Sequence, residues 1–422
     1  MGAPYSTAPP MRVAFFTQDL QLSGGVGVVV EHASQLARRH GFDVSLVLTA
    51  RQAEPDWSFR GLEHLHVVPL EDARAMRFDV AVSTWWETAD WLFDLDAHRY
   101  ASFVQSLEER FYLPEEPERI AAGLTLDLPV RFITEARWIA RALEALRGGR
   151  DRAFLVRNGV AKDVFASPPA APVALHGPLR ILVEGSPRIA FKGVADALAA
   201  TAAMREPHTV TLVTPDRDGE DVPGVDRLVR AVPHPEMARL YAEHDVVLKL
   251  SRVEGMFGPP LEGFHMGATC VVTPVTGHEE YVRHMVNGLV VDWDDPRGTA
   301  RALDLLARDR ALLHHLRCGA LATARAWPSW EQAGAFMALA LRRIAAEPPP
   351  SPRVTGARLV RDFQRNLALG QRLTIDHTIT SGVLKDLREQ NAYKVGVWLR
   401  GVFLKVTGPA RRLKAWLAAR RG

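Results

Sequence analysis

Residues 245–267 read DVVLKLSRVEGMFGPPLEGFHMG, a strand, a turn and a helix in immediate succession. The first six residues are typical of a buried strand, so Glu254 is expected on the loop at the carboxyl end of that strand. Proline is tolerated at the first helical position, so Pro259 or Pro260 predicts the start of a helix with Glu262 in its first turn. Because such a helix start favours a bound phosphate, the two carboxylates around it suit a phosphate flanked by hydroxyl-bearing rings. A nucleotide sugar has that form.

Apolar strands alternate with amphipathic helical stretches along the chain, which predicts α/β domains with parallel sheets covered on both faces. We therefore expect two doubly wound domains facing each other across a cleft, with ligands at the carboxyl ends of the strands. The expected parts are a first domain at 1–166, a proline-rich linker at 167–176, a second domain at 177–350 and a helical extension at 351–422. The predicted strands are 11–17, 43–49, 78–83, 101–105, 130–134 and 153–156, followed by 179–183, 208–213, 228–232, 245–250 and 269–273.

The composition is that of an ordinary globular protein, with 47% hydrophobic and 24% charged residues among 422. This length leaves room for two or three domains. Cys270 and Cys318 are too few and too far apart for a disulfide framework or a zinc site, which fits a reducing compartment. Residues 1–10 lack the apolar core of a signal peptide, and the chain has no run of about 18 apolar residues to span a bilayer. We therefore expect a cytoplasmic protein.

A longer ordered pattern surrounds the opening stretch, made of Glu254, Glu262, Met266, Gly267, Cys270, Val271, Val272, Gly277, Glu280 and residues 287–291. This pattern resembles the donor-site signature of retaining GT-B glycosyltransferases, in particular glycosyltransferase family four. The resemblance implies two Rossmann-like domains and a nucleotide diphosphate sugar as substrate, without a further cofactor. It places Glu262 at the ribose hydroxyls of the donor and Glu254 beside the transferred sugar. The donor-binding candidates also include Met256, Phe257, Gly258 and Pro259.

A glycine-rich turn, SGGVG at 23–27, follows the first predicted strand and precedes a helix expected at 28–40. Its N–H groups would approach an anion at a helix start. A nicotinamide-dependent dehydrogenase fits poorly, because Val30 holds the third glycine position of its fingerprint and no acidic residue ends the second strand. In the resembling family this loop faces the donor phosphates and the acceptor, which makes Gly24 and Gly25 site candidates. A plain structural turn is the alternative.

Residues 179–193 predict a strand, a loop with two cations and a helix start. A departing nucleoside diphosphate needs fixed positive groups, and Lys192 and Arg188 fit that task without a bound metal. The family usually has an arginine directly after the glycine, whereas Ser186 follows Gly185 here and Arg188 lies nearer Lys192. A solvated surface charge is the alternative for Arg188.

Three Asp-x-Asp triplets, at 94–96, 216–218 and 292–294, resemble the metal-binding motif of a different glycosyltransferase architecture. Two carboxylates and a diphosphate can hold a hard divalent cation. Each triplet also lies where a turn is expected, so we interpret all three as turns and predict no metal site.

Trp85, Trp86 and Glu87 end a predicted strand at the cleft, and Gln105 ends the next one. Aromatic rings there could stack on a sugar acceptor, and core packing of both tryptophans is the alternative. These segments resemble a subgroup that builds bacterial surface polysaccharides, some members of which transfer rhamnose. The resemblance implies a hexosyl- or deoxyhexosyltransferase. Several family members have a histidine near this place, and its absence leaves a catalytic histidine unassigned.

The end of the chain is basic. Residues 394–422 contain eight lysine or arginine residues and no acidic residue. Apolar residues recur there at helical spacing, at Val395, Trp398, Leu399, Val402, Phe403 and Val406. A basic amphipathic helix with tryptophan suits an anionic membrane surface, which predicts peripheral association with the inner face of the cell membrane. A solvated helix that covers the first domain is the alternative, and nucleic acid is not an expected partner.

Together these features predict a metal-independent retaining glycosyltransferase that moves a sugar to a growing glycan or lipid-linked acceptor. Retention follows from the resemblance alone. Two alternatives stay open: a nucleotide-sugar epimerase or phosphorylase of the same architecture, and a non-catalytic scaffold recruited to the membrane by its basic tail.

Overall fold

The computed structural model describes residues 9–348 except 22, 51–57, 150–151, 172–175 and 220, together with 361 and 379. Nearly all of the predicted extension at 351–422, including the basic segment 394–422, lies outside the described residues. Among the helices within the described part, none is long and apolar enough to cross a membrane.

The first domain is built on a parallel sheet. Its strands are β1 (Arg12–Thr17), β2 (Asp43–Leu48), β3 (His66–Pro69), β4 (Arg77–Ser83), β5 (Asp96–Val104), β6 (Arg131–Thr134) and β7 (Phe154–Leu155). Its helices are α1 (Gly24–His40), α2 (Leu70–Ala73), α3 (Pro117–Leu124) and α4 (Arg137–Leu146). The strand order is β3-β2-β1-β4-β5-β6-β7. Phe15 on β1 pairs with Leu46 on one side and Val82 on the other, so β1 lies inside the sheet.

The second domain repeats this plan. Its strands are β8 (Leu179–Glu184), β9 (His208–Thr214), β10 (Arg227–Arg230), β11 (Val246–Lys249), β12 (Thr269–Val272) and β13 (Leu289–Val290). The helices that follow are α5 (Val194–Ala202), α6 (His234–Glu243), α7 (Gly258–His265), α8 (Pro296–Arg308), α9 (Arg310–Ala326) and α10 (Trp330–Ala345). The order β10-β9-β8-β11-β12-β13 places β8 and β11 side by side at the centre.

Apolar side chains are buried on both faces of each sheet. Phe15 and Phe16 are adjacent in β1 and belong to separate apolar clusters, because successive side chains of a strand point to opposite faces. Val247 and Leu248 of β11 divide in the same way between the two clusters of the second domain. This two-sided burial explains the near-continuous apolar strands, and it confirms the predicted fold of two Rossmann-like doubly wound domains.

The last described helix returns to the first domain. Ser329 caps α10, and its hydroxyl and the Gln332 side chain bond each other's backbone N–H groups. Met337, Leu341 and Ile344 are fully buried in the apolar cluster that also contains residues of α1 and β1. The helix thus lies within the range 177–350 expected for the second domain but covers the first sheet.

Two local expectations were wrong, and one strand was missed. α1 begins at Gly24 and not at residue 28, because the Ser23 hydroxyl accepts a hydrogen bond from the Val26 N–H at 3.1 Å and caps the helix earlier. β3 was not predicted, because this short edge strand is mostly exposed and has no apolar run. Since α7 begins at Gly258, Glu262 lies in its second turn and not in its first.

Candidate functional site

Four charged side chains meet where two neighbouring strands of the second sheet end. Glu184 is the last residue of β8, and Lys249 is the last residue of β11. Lys192 lies in a short 3₁₀ turn after β8, and Glu254 lies on the loop after β11. The carboxyl ends of parallel strands share one edge of the sheet, so these loops bring the side chains together. We call Glu184, Lys192, Lys249 and Glu254 the charged cluster.

Close ion pairs hold the charged cluster together. Nζ of Lys192 lies 3.1 and 3.2 Å from the two carboxylate oxygens of Glu254. Nζ of Lys249 lies 3.9 Å from Oε1 of Glu254. It also donates to the carboxylate of Glu184 and, at 3.2 Å, to the backbone carbonyl of the same residue. Both ammonium groups therefore share Glu254 as a partner.

Burial makes each charge in the cluster depend on its neighbours. The side chain of Lys249 is 2% exposed and that of Glu254 is 12% exposed. Burial by itself lowers the pKa of Lys249, but the carboxylates of Glu184 and Glu254 raise it above its usual value. Burial by itself raises the pKa of Glu254, but Lys249 and Lys192 hold it below its usual value. Both groups are therefore ionised at neutral pH.

Gly193 lets the loop after β8 lie against the end of β11. Its φ is +68°, and a Cβ atom at this position would lie 2.0 Å from the carbonyl oxygen of Leu250. A larger residue would push the loop away from the neighbouring strand. Glycine directly after Lys192 therefore sets the position from which the lysine reaches Glu254.

The loop after β11 also joins the two domains. The indole N–H of Trp138 donates to the carbonyl of Gly255 at 3.0 Å, and the N–H of Met256 donates to Oε1 of Glu135 at 2.7 Å. A Cβ atom on Gly255 would lie 1.8 Å from the carbonyl oxygen of Gln105. The backbones of the two domains are thus in close contact one residue after Glu254.

A buried polar chain supports this contact from inside the first domain. Glu135 accepts a hydrogen bond from the side-chain amide of Asn158 at 2.6 Å, and Oδ1 of Asn158 lies 3.3 Å from Nε2 of His32. Burial raises the pKa of Glu135 to about 8 and lowers the pKa of His32 to about 4. At neutral pH both groups are mostly uncharged, so the chain crosses the interior without a net charge.

The start of α1 lies beside the same loop. Nε2 of Gln105 donates to the carbonyl of Gly25 at 3.3 Å, and Gly24 is exposed with open space around it. The carbonyl of Gln105 is the atom that approaches Gly255. Gly25 and Gln105, both candidates from the sequence, therefore lie together and next to the second domain.

A family match coincides with the charged cluster. Residues 180–309, from β8 to the residue that follows α8, match the family model described as "Glycosyl transferases group 1". This part of the chain is similar to the group 1 glycosyltransferases. All four residues of the charged cluster lie within the matched part of the second domain.

Two curated relatives share part of this sequence. The chain is 33% identical over 129 residues to D-inositol 3-phosphate glycosyltransferase 1 of Catenulispora acidiphila, which is 30% of this chain and 30% of that protein. It is 27% identical over 219 residues to D-inositol 3-phosphate glycosyltransferase of Thermobispora bispora, covering 46% of this chain and 50% of that protein. The chain thus spans half or less of the length of the curated relatives that it matches.

The fold likeness extends over both domains. The crystal structure of Alr3699/HepE from Anabaena in complex with UDP and glucose has a TM-score of 0.63 to this protein at 16% sequence identity, and the likeness covers 79% of this chain and 100% of that chain. At this level of identity the likeness concerns the fold alone, two parallel-sheet domains in a GT-B arrangement.

The remaining donor-site candidates of the second domain form the start of α7. Met256, Gly258 and Pro259 are half-buried, whereas the Phe257 side chain is fully buried in the core. Pro259 and its neighbour Pro260 have no N–H to donate. An anion at this helix start would therefore be stabilised by the helix dipole more than by N–H donors.

Glu262 lies one turn further along the same helix and is half-buried. It faces Tyr241, and burial together with the charge of Glu262 raises the pKa of that tyrosine well above its usual value. Glu262 therefore lies at the boundary between the core of the second domain and the surface beside α7.

Arg188 is not part of the charged cluster. Its side chain is 59% exposed. The guanidinium donates to the carboxylate of Asp218 at 2.9 Å and to the carbonyl of the same residue at 3.1 Å. The structure thus brings Lys192 to Glu254 and gives Arg188 a different partner.

The three Asp-x-Asp triplets are bonded to the protein itself. Carboxylates of 94–96, 216–218 and 292–294 accept hydrogen bonds from Arg74, Ser186 and Arg252, respectively. In the part of the chain that the structure describes, no group of three or more histidine, cysteine or acidic residues is arranged to hold a metal ion.

The two tryptophans of the predicted acceptor side differ in burial. Trp86 is 6% exposed, and its indole N–H donates to the hydroxyl of Tyr112 at 2.9 Å. Trp85 is half-buried and stacks on Phe111 with 6.0 Å between ring centroids. Its indole N–H donates to the carboxylate of Glu87 at 3.3 Å. Trp86 therefore packs in the interior, whereas Trp85 and Glu87 keep partly exposed surface.

Lys249, Glu184 and Glu135 were missed by the sequence analysis. A signal for Lys249 was present, because a lysine interrupts the otherwise apolar strand 245–250. A buried lysine in a central strand requires a carboxylate partner. No comparable local signal marks Glu135, which directly follows β6 and meets its partners through the tertiary fold.

Proposed function

We propose that the protein is a glycosyltransferase that moves a hexosyl or deoxyhexosyl group from a nucleotide diphosphate sugar to a growing glycan or lipid-linked acceptor. The observation that carries this proposal is the ion pair of Lys192 and Glu254 at the carboxyl ends of β8 and β11, inside the segment that matches the group 1 family model. A cation and a carboxylate at this edge can bind the diphosphate and the hydroxyls of one donor molecule.

Each donor-side residue has a proposed role. Lys192 is 28% exposed, so its ammonium can contact the diphosphate while it still pairs with Glu254. Glu254 positions the transferred sugar, and Glu262 binds the ribose hydroxyls. Lys249, on the buried side of the charged cluster, keeps Glu254 ionised. Arg188 can share the role of Lys192 only after its guanidinium leaves Asp218.

The proposed reaction retains the anomeric configuration and uses protein charges to stabilise the departing diphosphate. Lys192 and the dipole of α7 supply this stabilisation, without a requirement for a bound metal. The support for retention is the resemblance of residues 241–291 to retaining enzymes. Analysis of the anomer formed, with and without a chelator, tests both parts of this proposal.

We place the acceptor at the first-domain side of the contact, where Gly24, Gly25, Gln105, Trp85 and Glu87 have partly exposed surface. Trp86 supports this surface by its packing. UDP sugars are the first donors to test, because the similar Anabaena structure contains UDP and glucose. Phosphorylated inositol belongs among the first acceptors, because both curated relatives are named for it.

We further propose that residues 394–422 bind an anionic membrane surface and keep the enzyme on the inner face of the cell membrane. The support is the excess of basic residues in this segment. Deletion of 394–422 should abolish cosedimentation with anionic liposomes and leave the behaviour with neutral liposomes unchanged. Equal cosedimentation of both proteins would remove the support for this site.

Thermal stabilisation by nucleotides tests the donor site directly. The melting temperature of the purified protein is measured with UDP, GDP, TDP and their sugars, beside Glu262→Ala and the exposed control Glu236→Ala. A ligand at 100 times its dissociation constant adds about 2.7 kcal/mol to the free energy of unfolding. We expect one nucleotide to stabilise the wild type and the control but not Glu262→Ala.

Transfer itself is then measured with the nucleotide that binds. Lys192→Ala should lower the rate of glycosidic bond formation at least tenfold, about 1.4 kcal/mol in activation free energy. Epimerised donor, or sugar 1-phosphate formed from donor and phosphate, would instead identify an epimerase or a phosphorylase. A protein that no nucleotide stabilises would contradict the transferase proposal and favour a scaffold.

A further inference from the structure

A cavity with a volume of about 600 Å³ lies between the two domains. Arg137 and Arg141 of α4 line it from the first domain. Arg283, Val282 and Val290 line it from the second domain. No residue of the charged cluster is among those that line this cavity, so it is separate from the proposed donor site.

The acidic side chains of the cavity are already bonded, whereas no carboxylate of the described residues pairs with two of its basic side chains. Glu280 accepts the N–H of Arg137 at 2.7 Å and pairs with Arg157 at 3.3 Å, and Glu279 accepts a backbone N–H at 3.0 Å. Among the described residues, the guanidinium groups of Arg137 and Arg141 pair with no carboxylate, and both residues are exposed. The cavity therefore has uncompensated positive charge.

The geometry of these cations suits one compact anion. Arg137 and Arg141 are four residues apart in α4, so their side chains lie on the same face of the helix. In the second domain, the guanidinium of Arg283 donates to the carbonyls of Glu279 and Val282 at 2.6 and 2.8 Å. Guanidinium groups bind phosphate through paired N–H donors.

We propose that this cavity binds a small organic phosphate, with the phosphate between Arg137, Arg141 and Arg283 and the carbon body against Val282 and Val290. Ligand sites of about 300–1,000 Å³ enclose small organic molecules, whereas a bare phosphate ion would fill little of this volume. The apolar wall formed by the two valines is the reason for assigning an organic phosphate and not an inorganic ion.

The position of the cavity couples it to domain closure. The N–H of Arg137 holds Glu280, and the next residue, Trp138, holds the carbonyl of Gly255 beside Glu254. A phosphate that bridges α4 and Arg283 contacts both domains in this closed arrangement. It therefore binds together with the nucleotide and does not compete with it.

Calorimetric titration of the full chain with ribose 5-phosphate tests the site, with ribose as the uncharged match. Titrations are run with and without saturating UDP. We expect saturable binding of ribose 5-phosphate in both cases and no binding of ribose. Arg137→Gln/Arg141→Gln should lower the affinity at least tenfold, whereas the distant exposed pair Arg38→Gln/Arg343→Gln should keep it.

The readout is phosphate binding, so it does not depend on transferase activity. Melting curves establish that the variants fold, and Arg283→Gln is the substitute variant if the double replacement in α4 does not. Absence of binding to the wild type would overturn the proposal. So would displacement of ribose 5-phosphate by UDP, or equal affinities of the wild type and the variants in the cavity.

Discussion

Lys249 is a buried ammonium that two carboxylates share. With 2% of its side chain exposed, it cannot exchange its contacts with Glu184 and Glu254 for water without opening the sheet edge. Removal of one partner from a buried ion pair costs more than the pair contributes, because a charge is left without a partner. The charge state of Glu254 therefore depends on a residue behind it as well as on Lys192 in front.

Lys249→Met should lower the ionised fraction of Glu254 at neutral pH. Methionine is one atom shorter than lysine and removes one of the two charges that hold the pKa of Glu254 down. Since the pKa then rises, a larger fraction of Glu254 is protonated, and the acid limb of the kcat/KM profile moves to higher pH. We expect kcat/KM at neutral pH to fall at least tenfold, about 1.4 kcal/mol, and to recover in part at higher pH.

The matched controls for this variant are Lys249→Arg, which keeps the charge, and Lys162→Met, which removes a lysine whose ammonium donates to the backbone carbonyl of Arg325 away from the charged cluster. Lys162→Met should have the wild-type profile, and Lys249→Arg should keep the position of the acid limb. A uniform loss of rate at every pH in Lys249→Met would show that the lysine acts through packing alone.

Sequence reasoning identified two of the four residues of the charged cluster. Lys192 and Glu254 stand in motifs with recognisable spacing, and they meet in the structure. Lys249 was counted as part of an apolar strand, because pattern analysis averages over six residues and does not register one buried charge. Arg188 differs again, since its partner Asp218 comes from a loop 30 residues later, which no local pattern indicates.

At the scale of elements, the loop after β11 does two tasks within three residues. Glu254 belongs to the charged cluster, and the backbone of Gly255 and Met256 meets the first domain. A substitution in this loop therefore alters the charged cluster and the domain contact together, unless the new side chain has free space around it.

Gly255→Ala should separate the two backbones that meet at this loop. The new Cβ atom would lie 1.8 Å from the carbonyl of Gln105, so either the loop or the whole second domain must move. Such movement should cost at least tenfold in kcat/KM, because small displacements of positioning groups are costly in catalysis. Gly123→Ala in α3 is the matched control, since no atom lies within 4 Å of its new Cβ atom. Equal rates for the two variants would contradict the importance of this contact.

The order of elements was easier to predict than their ends. Every predicted strand has a counterpart, and most of these strands have a buried apolar run. The start of α1 was placed too late because its first four residues include three glycines, which were interpreted as a turn. The hydroxyl of Ser23 outweighs that preference by capping the helix. β3 has too little buried surface to leave a pattern.

At the scale of the whole molecule, Glu135 links stability to pH. Its pKa is raised from 4.5 to about 8 in the folded protein, mainly by burial. Between these values the unfolded chain releases a proton that the folded chain keeps. The contribution of this group is therefore full below about pH 4.5 and is lost as the pH rises towards 8, with a slope of up to about 1.4 kcal/mol per pH unit.

Glu135→Gln should remove this dependence. Urea unfolding of both proteins between about pH 5 and about pH 8 should show the wild type losing stability relative to the variant as the pH rises. Glutamine still accepts the Met256 N–H, but its amide meets the amide of Asn158, so a constant loss of stability is expected as well. Parallel stability curves, like those expected for the exposed control Glu115→Gln, would contradict the assigned titration.

The return of α10 to the first domain limits how this protein can be recombined with others. A fragment that ends before Trp330 would expose the side of α1 and β1 that Met337, Leu341 and Ile344 cover. A chimera that exchanges the first domain with that of another enzyme must therefore carry α10 with it, although nearly the entire second domain separates the two in the gene. The unit of modular exchange in this protein is defined by a shared core and not by a continuous stretch of sequence.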